Sequence, residues 1–446
     1  MNPVDVGLAA LALTVFLLLI RTPIAAALGV SATVGTFIVF AWRPGAEFSF
    51  DAAVRPTMSL LANAPFSFIT NFSLATVPLF IFMGHLAHEA GFTKNIYEAA
   101  RLWLARLRGG VAMASVVGCG GFSAITGSSV ACAAAMGRIA VPEMLKFGYA
   151  PTLATGAVAI GGTLGSLIPP SVLFILYGVF AEQSIGRLFI AAVIPGLVSL
   201  LAYLVVIYIW ATLRKEDAPT PNERFSWAKK FAAIKDCWGI VVIFVAIIGG
   251  IYGGLFTPTE AAGIGAALTL MLGIIARRLN FSSIAAALKE SVFQSSMIFL
   301  IAVGGKLYVS FIALTGMSAN FVDWINQGGY SLAVVMLFII VLYLVLGMFL
   351  DSIGIILLTL PIVLPVVEAY DLSLIWFGVV VIKLLEIGLV TPPIGLNVFV
   401  IKSIAPKSIQ LETIFHGISV FLIAEIFVLS AIVLFPQLSL WLPSAM

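Results

Sequence analysis

Gly161-Gly162-Thr163-Leu164-Gly165-Ser166-Leu167-Ile168-Pro169-Pro170-Ser171 lies inside an apolar stretch, Ala150–Glu182, that is long enough to cross a bilayer. Its two prolines remove two amide donors and clash with carbonyls one turn earlier, so no α-helix passes through unchanged. The freed carbonyls cannot face lipid; they must be buried in protein or line a wet cavity. A second stretch of the same kind follows at Gly388-Leu389-Val390-Thr391-Pro392-Pro393-Ile394-Gly395-Leu396-Asn397. The chain therefore reads as a helical membrane protein with two helix breaks, at Pro169-Pro170 and Pro392-Pro393.

Composition supports lipid as the main solvent. Hydrophobic residues make up 61% of the 446 and charged ones 10%, against roughly 25% charged in a soluble domain. Mean hydropathy is +1.15. Spanning-length runs recur from Val4–Ile20 to Phe415–Phe435, and the first lacks the basic start and small-residue cleavage site of a removable signal. Cys119, Cys132 and Cys237 have no metal-ligand spacing and read as small packing residues. No G-x-x-x-x-G-K-[ST] nucleotide cradle is present. Uphill movement of a solute would need an ion gradient; membrane lipid is an expected partner, nucleic acid is not.

Basic residues fall in four groups between the apolar runs: Lys94 with Arg101, Arg106 and Arg108; Arg214-Lys215 through Arg224 and Lys229-Lys230 to Lys235; Arg277-Arg278 with Lys289; and Lys402 with Lys407. Placing all four in the cytoplasm puts both termini outside. Val4–Ile20 then crosses inward, Pro23–Trp42 outward, and a run around Phe72–Ala87 inward. Gly110–Met144, interrupted at Gly118-Cys119-Gly120-Gly121 and Thr126-Gly127-Ser128-Ser129 with basic residues at both ends, reads as a re-entrant hairpin. Thr93–Leu107 places Ile96, Ala100, Trp103 and Leu107 on one face, as in a helix lying on the cytoplasmic interface. The corresponding arm of the second half, Gly316–Tyr330, falls outside and has no Lys or Arg.

This path runs the second half through the membrane upside down relative to the first. Thr22-Pro23-Ile24-Ala25-Ala26-Ala27 resembles Thr257-Pro258-Thr259-Glu260-Ala261-Ala262. Pro142, Gly165, Pro169 and Pro170 match Pro365, Gly388, Pro392 and Pro393 at a fixed offset (392 − 169 = 223), which also lays Ser128-Ser129 over Asp351-Ser352. Inverted repeats of this kind mark secondary transporters, with the site at the repeat interface near mid-membrane. The expected fold is an all-α polytopic membrane protein with an inverted repeat, two re-entrant helical hairpins and two broken transmembrane helices.

Each half thus carries a hairpin followed by a broken span: Gly121 to Ser129 before the first break, Gly347 to Ser352 before the second. Exposed carbonyls beside hydroxyls make the hard-oxygen environment that sodium needs, and the half-helix N-termini after each break favour an anion. Candidate sodium ligands are Gly127, Ser128, Ser129, Thr163 and Gly165 for one ion, and Asp351, Ser352, Gly388, Thr391 and Asn397 for the other. Ser123, Thr126, Ser171 and Gly395 are candidates for the substrate. Asp351, at the second hairpin tip, is a charge inside an apolar stretch and so a functional candidate. Glu260 lies where it could cap a helix, and Lys383 and Glu386, three apart, are placed to pair on one helix face. Lys306 has no evident partner, and His85 and His88 lack a third metal ligand.

At these motifs the chain resembles the large membrane subunit of tripartite ATP-independent periplasmic (TRAP) transporters. The carrying residues are Gly127-Ser128-Ser129-Val130-Ala131, Met136 to Met144, Gly161 to Gly165 with Ile168 to Ser171, Phe256 to Ala262, and Gly388 to Asn397. The resemblance implies a sodium-driven elevator, in which a transport domain of both hairpins and both broken helices slides against a scaffold. It implies import of an organic acid, such as a sialic acid or a C4-dicarboxylate, delivered by a periplasmic binding protein. It also implies a small four-helix membrane subunit, expected as a separate protein, and residence in a bacterial inner membrane. On that pattern residues 1–108 and 237–330 are scaffold and arms, 109–186 and 331–407 the transport domain, 187–236 a connecting helix and basic loop, and 408–446 a last span. The alternatives are a stand-alone ion-coupled dicarboxylate or citrate carrier, and an intramembrane hydrolase; the second lacks a Ser-His or paired-aspartate set within spans.

Overall fold

Capping residues and prolines set the helix boundaries. In the computed structural model, which describes residues 2–219 and 225–445, all regular structure among those residues is helical. The first half comprises α1 (Pro3–Leu19), α2 (Ile24–Ala41), α3 (Phe50–Ile69), α4 (Thr76–Glu89), α5 (Phe92–Leu104), α6 (Gly110–Thr126), α7 (Ser129–Lys146), α8 (Pro151–Gly162), α9 (Leu164–Leu167), α10 (Val172–Phe180) and α11 (Ile185–Leu213). A short α12 (Trp227–Asp236) leads to α13 (Trp238–Phe244), a π-helical turn at Val245–Gly249, and α14 (Gly250–Tyr252). Then come α15 (Pro258–Ile275), α16 (Phe281–Thr315), α17 (Met317–Gly328), α18 (Leu332–Phe349), α19 (Ser352–Ala369), α20 (Leu374–Gly388), α21 (Leu396–Ile404), α22 (Leu411–Leu434) and α23 (Gln437–Leu440).

Among the described residues six helices are long and apolar enough to cross a bilayer, and three bent pairs raise the candidates to nine. Two of these pairs are Pro151–Leu167 with Val172–Phe180, bent by 40°, and Phe50–Ile69 with Phe72–Glu89, bent by 57°. The latter adds α3, which hydropathy alone passes over because Asp51, Arg55, Pro56 and Asn63 dilute its apolar residues. Glu260 is a cap. The Thr257 side chain accepts from the Glu260 amide while the Glu260 carboxylate accepts from the Thr257 N–H, a reciprocal box at the start of α15.

The 35-residue α16 runs along α2, α3, α4 and α19, and α15 runs along α4. A cluster of Leu28, Ala32, Tyr308, Phe311 and Leu357 joins α2, α16 and α19. The arm is helical as α5, which packs on α6 with Tyr97 and Ala100 buried. Leu107, assigned by its spacing to the same face, lies beyond the helix end and is exposed, because the helix stops at Leu104. Trp103 meets Trp227 and Phe231 of α12 at ring distances of 6.1 and 5.9 Å, and Lys230 lies over the Trp103 and Trp227 rings. Arg224 falls outside the described residues.

The halves interlock around the breaks. The segment after the second break, α21, packs on α7 and α8 of the first half, while the segment after the first break, α10, packs on α19 and α20 of the second. Helices α11 and α22 close the same unit, lying on each other and on α8 and α20. The segment that follows each break is thus held by helices of the other half.

Candidate functional site

The first hairpin turns at Gly127, whose φ of +61° favours glycine. Its carbonyl accepts the Val172 amide just past the Pro169-Pro170 break at 3.3 Å, and a Cβ there would meet the Pro170 carbonyl oxygen at 2.6 Å. Ser128 then caps α7 by accepting from the Ala131 N–H. From the other side Gly165 presses on the tip so closely that a Cβ would lie 2.6 Å from the Ser128 carbonyl oxygen. The Ser129 hydroxyl, brought to the centre, donates to Glu386 Oε2 at 2.5 Å, accepts from the Ser166 N–H at 3.1 Å and lies 2.9 Å from Ser166 Oγ. Glu386 belongs to α20, so this cluster crosses from one half to the other.

Thr163 faces away from that cluster. Its hydroxyl donates to the Ile160 carbonyl and lies 3.0 Å from Tyr203 of α11. Tyr203 in turn donates to Glu425 of α22, which forms a buried ion pair with Lys383 at 2.5 Å; Lys383 also donates to Ser199 at 3.0 Å. The pairing of Lys383 with Glu386 expected from their spacing is therefore corrected. Lys383 reaches across to Glu425, and Glu386 turns to Ser129. Helical spacing placed the two on one face without showing that α22 supplies a carboxylate to Lys383.

In the second half Gly388 touches Gly347 backbone to backbone, where a Cβ on Gly388 would lie 2.6 Å from the Gly347 Cα. Asp351 caps α19, accepting from the Ile353 N–H at 3.1 Å. Ser352 is buried and its hydroxyl has no hydrogen-bond partner. Asn397 donates its backbone N–H to the Leu389 carbonyl across the second break, yet both polar atoms of its buried side chain are unpaired. Thr391 donates to the Ile387 carbonyl at 2.6 Å, and Gly395, at φ +61°, leads into α21.

Unpaired buried polar atoms are costly, and several lie near the hairpins and breaks, on Ser171, Ser352, Asn397 and Glu386 Oε1, while others, such as those of Ser31, Thr36 and Ser295, lie elsewhere. Such oxygens suit a hard cation. The substrate candidates separate. Ser123 is buried within the hairpin, donating to the Cys119 carbonyl, whereas Thr126 lines a cavity of about 180 Å³ between the hairpin and α4–α16. His85, His88, Arg138, Gln294 and Ser128 line the same cavity, and the exposed Arg138 guanidinium there favours an anion. His85 is 3.1 Å from Gln294 Oε1, and among the described residues no three His, Cys, Asp or Glu side chains form a metal group. Lys306 lines another cavity, with Ser67, Asn71, Glu182 and Gln183.

The sequence model of the tripartite ATP-independent periplasmic transporter, DctM component, matches residues 11–438. The chain belongs to the TRAP transporter DctM family. The C4-dicarboxylate TRAP transporter large permease DctM of Pseudomonas aeruginosa is 34% identical over 345 residues, covering 77% of this chain and 80% of that one. The sialic acid TRAP transporter large permease SiaM of Vibrio cholerae is 32% identical, covering 84% and 87%. The fold is shared with the YdaH transporter of Alcanivorax borkumensis at a TM-score of 0.59 and 14% identity, over 99% of this chain and 98% of that one. This DctM-family chain is accordingly a multi-span transporter permease, not a hydrolase, and the match to a tripartite large subunit displaces the stand-alone carrier as its description.

Sequence reading passed over Ser166, Tyr203, Ser199 and Glu425 of this DctM-family site. Glu425 had a usable signal, a carboxylate in the apolar middle of the 24-residue α22, well past Glu412 in its first turn. Nothing local marks Tyr203 or Ser199, which matter only because α11 lies beside α20 and α22.

Proposed function

We propose that this permease imports an organic carboxylate with sodium by an elevator movement of its interlocked hairpins and broken helices. The observation that carries this reading is the seating of the first hairpin tip, and of Gly347 in the helix leading to the second, on a broken helix, with unpaired buried oxygens left at both seams. The oxygens suit sodium. The Arg138-lined cavity beside Ser128 suits a carboxylate. Relatives named for C4-dicarboxylates and for sialic acid point to the substrate class. Segments 109–186 and 331–407 form the moving unit as two inverted copies, against a scaffold of 1–108 and 237–330, with both termini on the periplasmic side of the inner membrane. A periplasmic binding protein supplies the substrate, and a small membrane subunit completes the scaffold.

Reconstitution of both membrane subunits in liposomes, with the binding protein and a labelled carboxylate outside, tests this. Uptake should require an inward sodium gradient and all three components. Equal uptake without the gradient, or by the large subunit alone, contradicts it.

A further inference from the structure

We infer that Glu386 is a direct ligand of the transported cation, held between the two halves with Ser129 and Ser166. This deepens the sodium reading proposed above and rests on it. Glu386 is 1% exposed, and only one of its two carboxylate oxygens is engaged. Oε1 has no hydrogen-bond partner. A buried carboxyl group is neutralised by a proton or by a cation, and the basic group one turn earlier on α20 is already committed: Lys383 is ion-paired with Glu425 and bonded to Ser199. Among the described residues no basic side chain forms an ion pair with Glu386.

The surroundings supply hard oxygen rather than charge. The Ser129 and Ser166 hydroxyls converge on the carboxylate, and Gly165 keeps the Ser128 carbonyl against the same seam. A carboxylate with two hydroxyls and a nearby carbonyl is a donor set for a small hard cation. Its position adds a consequence. The carboxylate comes from α20 and the hydroxyls from the first hairpin and first broken helix, so a cation here ties one half of the permease to the other. The Lys383–Glu425 pair keeps the lysine ammonium from taking the cation's place.

The test is sodium-dependent thermal unfolding of the complex of large and small membrane subunits in detergent, at constant ionic strength with choline as the replacement ion, beside ²²Na⁺ uptake in liposomes. Glu386→Gln keeps the shape and removes the charge. Its sodium midpoint for stabilisation should rise at least about tenfold, the low end of losses seen when even an outer partner of a metal ligand is removed. Ser166→Ala, a milder change should Glu386→Gln fail to fold, should move the midpoint in the same direction. Unchanged midpoints in these variants, or an altered pH response with sodium binding intact, would overturn the inference. A wild-type complex indifferent to sodium would instead defeat the broader sodium reading.

Discussion

The two breaks are built alike in backbone and differently in what surrounds them. Both place a hairpin against a glycine of the broken helix, Gly165 on Ser128-Ser129 and Gly388 on Gly347. The first is closed: Pro169 and Pro170 are buried, and Ser129 is engaged by Ser166 and Glu386. The second is open: Pro392, Pro393 and Ile394 are exposed, while Ser352 and Asn397 keep unpaired polar atoms. A repeated backbone device thus carries one seam where the hairpin serine is bonded and a single carboxylate oxygen is left free, and one where the serine and asparagine side chains are themselves unpaired. Opposite accessibility of two matched breaks is what an alternating-access carrier needs in any single state.

The largest effect should come from the buried pair behind the closed break. Lys383→Met leaves Glu425 without its cation and should cost about 3–5 kcal/mol. Adding Glu425→Leu should restore much of that stability, as thermal unfolding of the purified complex would show. A double variant no more stable than the single one would mean that the pair does not act as a unit.

Accessibility gives the next contrast. In a background lacking Cys119, Cys132 and Cys237, a membrane-impermeant maleimide should label Ile394→Cys at least roughly tenfold faster than Ser171→Cys, because freed backbone at membrane depth must line water or be buried. Similar rates would remove the open-versus-closed distinction. The backbone likeness is tested by Gly165→Ala and Gly388→Ala. Each new Cβ meets backbone at 2.6 Å, so each should lose about 1–3 kcal/mol. A loss at only one of them would break the parallel.

The smallest effects should separate the serines. Ser129→Ala removes the hydroxyl bonded to Glu386 and should cost about 1–3 kcal/mol. Ser352→Ala removes a buried hydroxyl that has no partner, so stability should be unchanged or rise, while its sodium midpoint rises if that oxygen serves the ion. Equal destabilisation by the two would show that Ser352 has an internal partner after all.

Much of this was legible in sequence because helix-breaking residues act locally. Pro169-Pro170, Pro392-Pro393 and Gly127 fix where the backbone must depart from a helix, whatever packs around them. The capping role of Glu260 was likewise a matter of three residues. What stayed hidden depends on helices distant in sequence. Lys383 lies three residues from Glu386 but is paired with Glu425, because α22 packs on α20. Helix α3 escaped notice since its residues between Phe50 and Ile69 mix Asp51, Arg55 and two prolines with the apolar ones. The substrate candidates were also unequal for a tertiary reason: Thr126 faces the Arg138-lined cavity, whereas Ser123 is turned into its own hairpin.

Co-influx measured in the same liposomes tests the central claim most directly. Vesicles holding both membrane subunits, with binding protein and carboxylate outside, would be followed with ²²Na⁺ and a carbon-labelled carboxylate together. Sodium influx that depends on the carboxylate, and carboxylate influx that depends on sodium in a fixed ratio, is the expected result. Carboxylate accumulation with no accompanying ²²Na⁺ would contradict it.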